Sequence, residues 1–426
     1  MTITSQDISI LIEDIGILFN IIIKNNIKYN HLPDFENTVY NDILDILKIQ
    51  LEIKDNDDSE ILKLENIITY VLNNYCYKYI SPKRAIPIKI PSPLSKEKIE
   101  KLKKQITYLE KIPQPEQRTD EWYKFRHGLI TASNAWKCFG SQSQKNSIIY
   151  EKCKPIVLNT PKNDSNDDNN VECYVNTQTT LHFGQKYEPL SVMYYEKIYS
   201  TKIGEFGCIP HPKYSFLGAS PDGINIDPES SLFGIMLEIK NICNREITGN
   251  PKLEYWVQTQ LQMETCDLNK CHFLETRFIE YANKEEFEKD GTFQKTKDGK
   301  YKGIILHYKG EGKPQYEYCP FNCSKEEYDK WEIDIFEKNK DLELLEYLYW
   351  KLEEVSCVNV VRNKKWFNEI IKDISETWDT ILKERETGYE HRGPKRRRLE
   401  PKKIEECMEI KVVKKPTKCL INTSIL

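Results

Sequence analysis

The sequence contains no window of about 18 uncharged apolar residues, so no membrane-spanning helix is expected. No secretory signal is expected: residues 1–7 carry no basic n-region, and Glu13, Asp14 and Asn20 interrupt the apolar stretch at 8–23. Excess positive charge is missing as well. The 62 Lys and Arg face 66 Asp and Glu, for a net charge of −4, so global charge does not announce a nucleic-acid binder, although a binder can carry a local basic groove. Histidines are few and scattered; His182, His211 and His272 share no ligand spacing, and a zinc site is not expected. The 13 cysteines are odd in number and dispersed, which argues for free thiols in a reducing, intracellular setting, cytoplasmic or nuclear. Cys266-x₄-Cys271 and Cys319-x₃-Cys323 read as ordinary thiols. There is no internal repeat.

What is present is enough apolar material for a folded core, 39% hydrophobic and 11% aromatic. The 426 residues set an expectation of two or three domains, at roughly 100–200 residues each. Residues 1–95 read as helical, either a separate interaction module or an extension packed on the main domain, with apolar positions at helical spacing in Ile8, Ile12, Ile15 and Phe19 and again in Leu44, Ile46, Leu47 and Leu51. Four prolines in 81–93 mark an extended linker, and 95–109 reads as a charged helix. Residues 96–320 hold short β-type runs separated by turns and form the core. An Asn- and Asp-rich stretch at 161–170 reads as a surface loop. Residues 321–390 read as a helical C-terminal region, with Trp331, Ile335, Leu342 and Leu345 at helical spacing and a further helix over 365–384. From 391 to 426 the chain reads as a basic tail, with 11 Lys and Arg against four Glu between His391 and Lys418. Its Lys395-Arg396-Arg397-Arg398 run suits DNA backbone contact, a nuclear address or plain solvation.

The chemistry concentrates in 217–241, LGASPDGINIDPESSLFGIMLEIKN. Two strands are expected, 214–219 and 233–240, joined by turn residues. Side chains alternate along a strand, so Glu238 and Lys240 share a face while Leu237 and Ile239 take the other. Asp222, at the end of the first strand, then approaches Glu238. Two carboxylates suit a hard divalent cation, Mg²⁺ or Mn²⁺. A lysine beside them suits charge developing on a phosphoryl group. Glu-x-Lys by itself is weak, because Glu52-Ile53-Lys54 and Glu409-Ile410-Lys411 repeat it. The upstream Pro221-Asp222-Gly223 is what sets the 238–240 copy apart.

Two further segments bear on the site. Residues 252–265 read as a helix with Trp256, Gln260 and Glu264 on one face and Gln258 and Gln262 on another. A glutamine projecting from this helix is a candidate for holding attacking water or the scissile phosphate, against the plainer reading of a solvated glutamine face. In 181–198, Gly184 is expected to precede a helix carrying Glu188, with Pro189 in its first turn. Glu188 is a candidate third carboxylate, or else an acid favoured near a helix N-terminus.

Together these segments resemble the lambda exonuclease and YqaJ-type viral recombinase nucleases of the PD-(D/E)xK superfamily. The resemblance covers roughly 115–282. It comprises Trp122…Arg126-x-Gly128…Thr131-Ala132-Ser133, then Gly184…Glu188, Ser220-Pro221-Asp222-Gly223, Glu238-x-Lys240 and the glutamine helix, in that order. It implies an α/β (α+β) fold with a central mixed sheet flanked by helices. It implies Asp222, Glu238, Lys240 and Gln260 as catalytic residues, and Glu188, Asp222, Glu238 and the Ile239 carbonyl around Mg²⁺ or Mn²⁺. Arg126, Thr131 and Ser133 would hold the 5′-phosphate of DNA. The implied function is metal-dependent hydrolysis of double-stranded DNA from free ends in recombination, repair or defence, including as a viral protein in a host cell. Homo-oligomers are known in the family, and residues 1–95 could recruit protein partners. The chain departs from the family where an upstream acid is replaced by His211, Pro212 and Lys213. Two other functions fit the same residues: a restriction-like endonuclease, and a catalytically weak DNA-binding recombination scaffold.

Overall fold

The computed structural model describes residues 5–115, 119–156, 177, 179–310 and 313–394, with side chains from residue 8 onward. The expected loop at 161–170 and the tail from 395 lie outside the described residues.

The chain opens with α1 (Ser5–Asn26), α2 (Phe35–Gln50), α3 (Asp58–Val71) and a short α4 (Tyr77–Tyr79). The buried stripe of α1 is Leu11, Ile15, Phe19 and Ile23, at i, i+4, i+8 and i+12. The expected Ile8 and Ile12 face outward instead. In α2 the stripe is Phe35, Val39, Ile43 and Leu47. The proline-rich segment is extended and contributes β1 (Ile86–Pro87). Next comes α5 (Lys96–Lys111), where the Ser95 side chain accepts from Lys98 N–H as an N-cap. It is followed by α6 (Asp120–His127), β2 (Ile130–Thr131) and α7 (Gln142–Cys153), which starts with a Ser141–Gln144 capping box.

Beyond that lie α8 (Thr180–Tyr199), β3 (Ile203–Gly204), β4 (Ile209–Pro210), β5 (Leu217–Ala219), β6 (Gly223–Asn225), β7 (Met236–Asn241), α9 (Leu253–Cys266) and β8 (Lys270–Glu280). The chain continues through α10 (Lys284–Lys289), β9 (Lys302–Tyr308), β10 (Gln315–Tyr318), α11 (Lys325–Lys338), β11 (Leu344–Val361) and α12 (Lys364–Thr387).

The main sheet runs β10-β9-β11-β8-β7-β6-β3, with β1 on β11. It is mixed: β7 and β8 are parallel, connected through α9, and the other pairings are antiparallel. A small sheet, β2-β5-β4, lies beside it. This is the mixed α/β arrangement the sequence led us to expect.

Three expectations need correction. Residues 344–361 are an 18-residue strand in the middle of the sheet, so the region 321–390 is not wholly helical and the sheet does not end at 320. Helical spacing is real in α11, but it ends at Lys338; past that point Leu348, Trp350 and Leu352 are buried with period 2. The strand that pairs with β7 is β6, downstream of Asp222, whereas β5 belongs to the small sheet. Helix α8 begins at Thr180, capped by Thr179, so Gly184 and Pro189 lie inside it. Pro189 lacks an N–H to continue the helical ladder, and side chains from the sheet engage carbonyls of that turn region. Asn241 Nδ2 donates to Gly184 O (2.7 Å) and Tyr318 Oη to Lys186 O (2.8 Å).

Candidate active site

Strand β7 divides its side chains as alternation requires. Leu237 and Ile239 join Tyr195, Ile203 and Leu274 in a core against α8. Glu238 and Lys240 face α9 instead. Antiparallel pairing of Gly223 with Leu237 places Asp222 opposite Glu238, one step further along the two strands. Gly223 is required by close packing, since a Cβ there would stand 2.2 Å from Ile203 Cγ2. Asp222 Oδ2 accepts from Ile239 N–H at 2.7 Å, where β6 no longer pairs with β7. A strand residue's N–H and C=O leave on the same edge, so the Ile239 carbonyl faces this edge as well.

Glu238 is fully buried. Its Oε1 accepts from Lys240 Nζ and from Gln258 Nε2 (2.6 Å), and its Oε2 accepts from Gln262 Nε2 (2.6 Å). Gln262 also donates to Ser220 O (3.0 Å), tying the Ser220–Gly223 turn to α9. Gln260 is not at the site. It points the other way along α9, donating to Val361 O (2.9 Å) and accepting from Asn363 N–H (2.7 Å). The face carrying Trp256, Gln260 and Glu264 packs inside the protein, where Trp256 Nε1 donates to Arg84 O and Glu264 accepts from Arg362 Nε. The glutamines that reach the acid are Gln258 and Gln262, on the other face of α9.

Burial drives the Asp222 carboxyl well above the ordinary carboxylate range. The charge on Glu238 pushes further and Glu188 adds to it, while Lys240 pulls the other way. For Lys240, burial works to lower the pKa, but Glu238 and then Asp222 outweigh it and hold the ammonium above its usual value. The site is thus crowded with negative charge that one lysine does not balance. That charge and the hard oxygen donors fit a divalent cation. The arrangement is not a closed cage: among the described residues no three Asp, Glu, His or Cys side chains stand at metal-holding spacing. Glu238 is turned onto its three nitrogen donors.

Asp222 and Glu188 both line a cavity of about 810 Å³ that also holds Arg126, Thr131 and Ser133. Arg126 stands in the last turn of α6 and lies over the Trp122 ring at 4.4 Å. Thr131 Oγ1 and Ser133 Oγ are 3.2 Å apart, at the end of β2. Where the resemblance would place an upstream acid, His211 lies outside this cavity, buried against Phe367, and its Nδ1 accepts from the Lys213 and Tyr214 N–H groups. Glu205 lines the cavity instead.

Asn241, which sequence reasoning missed, fixes the relation of α8 to the sheet. Its Oδ1 accepts from Ser191 (2.7 Å) and Thr276 (2.6 Å) while its amide holds Gly184 O, so Glu188 is registered against β7. Its position directly after Lys240 was the available signal. The described cysteines are unlinked thiols; Cys266 ends α9 and Cys271 is the second residue of β8, both buried.

The chain is similar to several known proteins. An uncharacterized protein, R354, of Acanthamoeba polyphaga mimivirus is 28% identical over 319 residues, 65% of this chain and 54% of that protein. The chain thus spans about half the length of that curated relative. Crystal structures of the alkaline exonuclease LHK-Exo from Laribacter hongkongensis, one in complex with dAMP, cover 63% of this chain and 95% of their own, at 17% identity and a TM-score of 0.35. Residues 121–269 match the YqaJ-like viral recombinase domain. That matched stretch contains Arg126, Glu188, Asp222, Glu238 and Lys240.

Proposed function

We propose that the protein is a divalent-metal-dependent DNA nuclease that hydrolyses phosphodiester bonds at double-stranded ends. The observation that carries this reading is the convergence of Asp222, Glu238 and Lys240 at β6 and β7, with Asp222 lining the cavity that also contains Arg126. Asp222, Glu238 and the Ile239 carbonyl would hold Mg²⁺ or Mn²⁺, with Glu188 beside them. When bound, the ion polarises the phosphoryl group and makes water a stronger nucleophile.

The remaining work falls to the chain. Gln258 and Gln262 hold Glu238 in place from α9. Lys240 stays protonated across the neutral range, because its acid neighbours outweigh burial, and its ammonium opposes charge developing on the phosphoryl oxygens. Arg126, stacked on Trp122, and the Thr131–Ser133 hydroxyl pair offer the donors a terminal phosphate needs. The relatedness of residues 121–269 to viral recombinases supports DNA as the substrate and recombination as the setting.

The test compares linear with covalently closed circular DNA, in Mg²⁺ or Mn²⁺ and in EDTA, for the wild type and Lys240→Ala. Linear DNA should be degraded, circles should survive, and either EDTA or Lys240→Ala should stop the reaction. Cleaved circles would mean an endonuclease. Intact linear DNA with every divalent ion would overturn the nuclease reading.

A further inference from the structure

Next to the cavity that holds Arg126 is a second, of about 620 Å³. Both volumes fall within the roughly 300–1,000 Å³ typical of ligand sites. The two share two lining residues, Glu188 and Asp222. Those acids are therefore a wall with a cavity on each side. A linear polymer cut at such a wall leaves one fragment in each cavity.

The second cavity has the electrostatics of a polyanion site. Its other lining residues include no acid and three cations, Lys240, Arg245 and Lys252. Lys240 is already matched by Glu238. Arg245 is built into place. One terminal nitrogen is gripped by Glu275, which is 1% exposed, and its guanidinium lies over the Tyr255 ring at 5.5 Å. Arg277 Nη2 donates to its carbonyl (2.5 Å), fixing the backbone after β7. A second bond, from Nη1 to Glu246 O, still leaves three of the five guanidinium N–H donors. Lys252 is exposed and has no ion-pair partner among the described residues. Tyr255 carries Lys240 on its ring too, at 5.1 Å, so one aromatic side chain links the site lysine to the arginine.

We infer that the second cavity binds the backbone phosphates of the DNA strand lying across the scissile linkage from the Arg126 cavity, with Arg245 and Lys252 as the phosphate contacts and Tyr255 as the residue that positions Arg245. This rests on the nuclease reading and extends it: the terminal nucleotide occupies the first cavity, and the strand still joined to the duplex occupies the second.

The test measures binding of a fluorescent duplex with a 5′-phosphate, in EDTA, over a range of KCl concentrations. It uses the full chain and the variants Lys252→Ala and Arg245→Gln. Each variant should bind more weakly at every low salt concentration and reduce the slope of log K against log[salt] by about 1. Arg245→Gln leaves buried Glu275 without its cation and so needs a thermal melt alongside; exposed Lys252 carries the test if that variant unfolds. Wild-type affinity and slope in Lys252→Ala and in a folded Arg245→Gln would overturn the inference. If the wild type still degrades linear DNA, the nuclease reading survives that result. A wild type that neither binds nor cleaves DNA would overturn both.

Discussion

Gln258 and Gln260 stand two positions apart on α9 and should fail in opposite ways. Gln258 donates to Glu238, the buried acid of the site, while Gln260 satisfies the Val361 carbonyl and the Asn363 N–H at the start of α12. Truncating Gln260 leaves a buried acceptor and a buried donor without partners, a cost of about 3 kcal/mol. Gln260→Ala should therefore lower the urea midpoint sharply, yet leave kcat per folded molecule near wild type. Gln258→Ala should leave the midpoint nearly unchanged and cut kcat by about 10–100-fold, since Glu238 loses one of the donors that aim it. Paired urea titrations and steady-state kinetics read both quantities, and a kcat defect in Gln260→Ala with normal stability would reverse the assignment. The sequence made the two faces of this helix legible, because 3.6-residue periodicity separates 256, 260 and 264 from 258 and 262. It could not say which face meets the acid. That choice depends on Arg84 and Arg362, which approach α9 from distant parts of the chain.

At the level of elements, β8 carries a pH-sensitive feature. His272 is 2% exposed, and its Nδ1 stands 2.6 Å from Tyr195 Oη. Burial, and then Lys270, lowers its pKa to about 4. The folded chain keeps this ring neutral, whereas the unfolded chain protonates it near the ordinary value of about 6.5. Between those values the unfolded state binds more protons. Stability contributed by this group is thus complete above about pH 6.5 and is lost as pH falls toward 4, by up to about 3 kcal/mol. Urea midpoints measured from pH 7 to 4.5 should fall more steeply for the wild type than for His272→Gln, which keeps an acceptor but does not titrate. Equal slopes would remove His272 as the cause.

The neighbouring strand, β11, shows where element reading from sequence stops. Glu238-Ile239-Lys240 was legible because a short strand with one polar face announces itself by alternation. In β11, bulges at Leu352/Glu354 and Leu344/Glu346 break the alternation, and its outer stretches mix buried and exposed positions. Leu342 and Leu345 then happen to continue the spacing of α11. Helix α8 was misjudged for a related reason: Gly184 and Pro189 signal a helix start locally, but contacts from Asn241 and Tyr318 let the helix run through both.

Across the whole molecule, the N-terminal helices share a core with the site. One continuous apolar cluster runs from Leu11, Ile15 and Phe19 through Trp256 and Met263 to Trp366 and Ile381. Polar contacts cross the same junction: Lys28 pairs with Asp373 (2.8 Å), Lys365 Nζ donates to Ile80 O (3.0 Å), and β1 pairs with β11. Arg84 ties these layers together. It is fully buried, its N–H donates to Glu36 (2.5 Å), its guanidinium donates to Asn250 Oδ1 (2.5 Å) and Pro251 O (2.8 Å), and its carbonyl accepts from Trp256 Nε1. Asn250 and Pro251 lead directly into α9, the helix that holds Glu238. A module joined by a loose linker would unfold in its own transition and could be removed without harm to the rest. A shared core with a buried arginine across the junction predicts the reverse. Calorimetry of the full chain should show one cooperative transition, and a fragment of residues 96–394 should fail to fold, because deletion uncovers Trp256 and Trp366. Arg84→Ala should lower stability by about 3 kcal/mol, from two charge-assisted hydrogen bonds, without splitting the transition. Two separate transitions, or a soluble fragment that melts cooperatively, would instead make residues 1–95 an independent module. The site would then owe its geometry to the sheet and α9 alone.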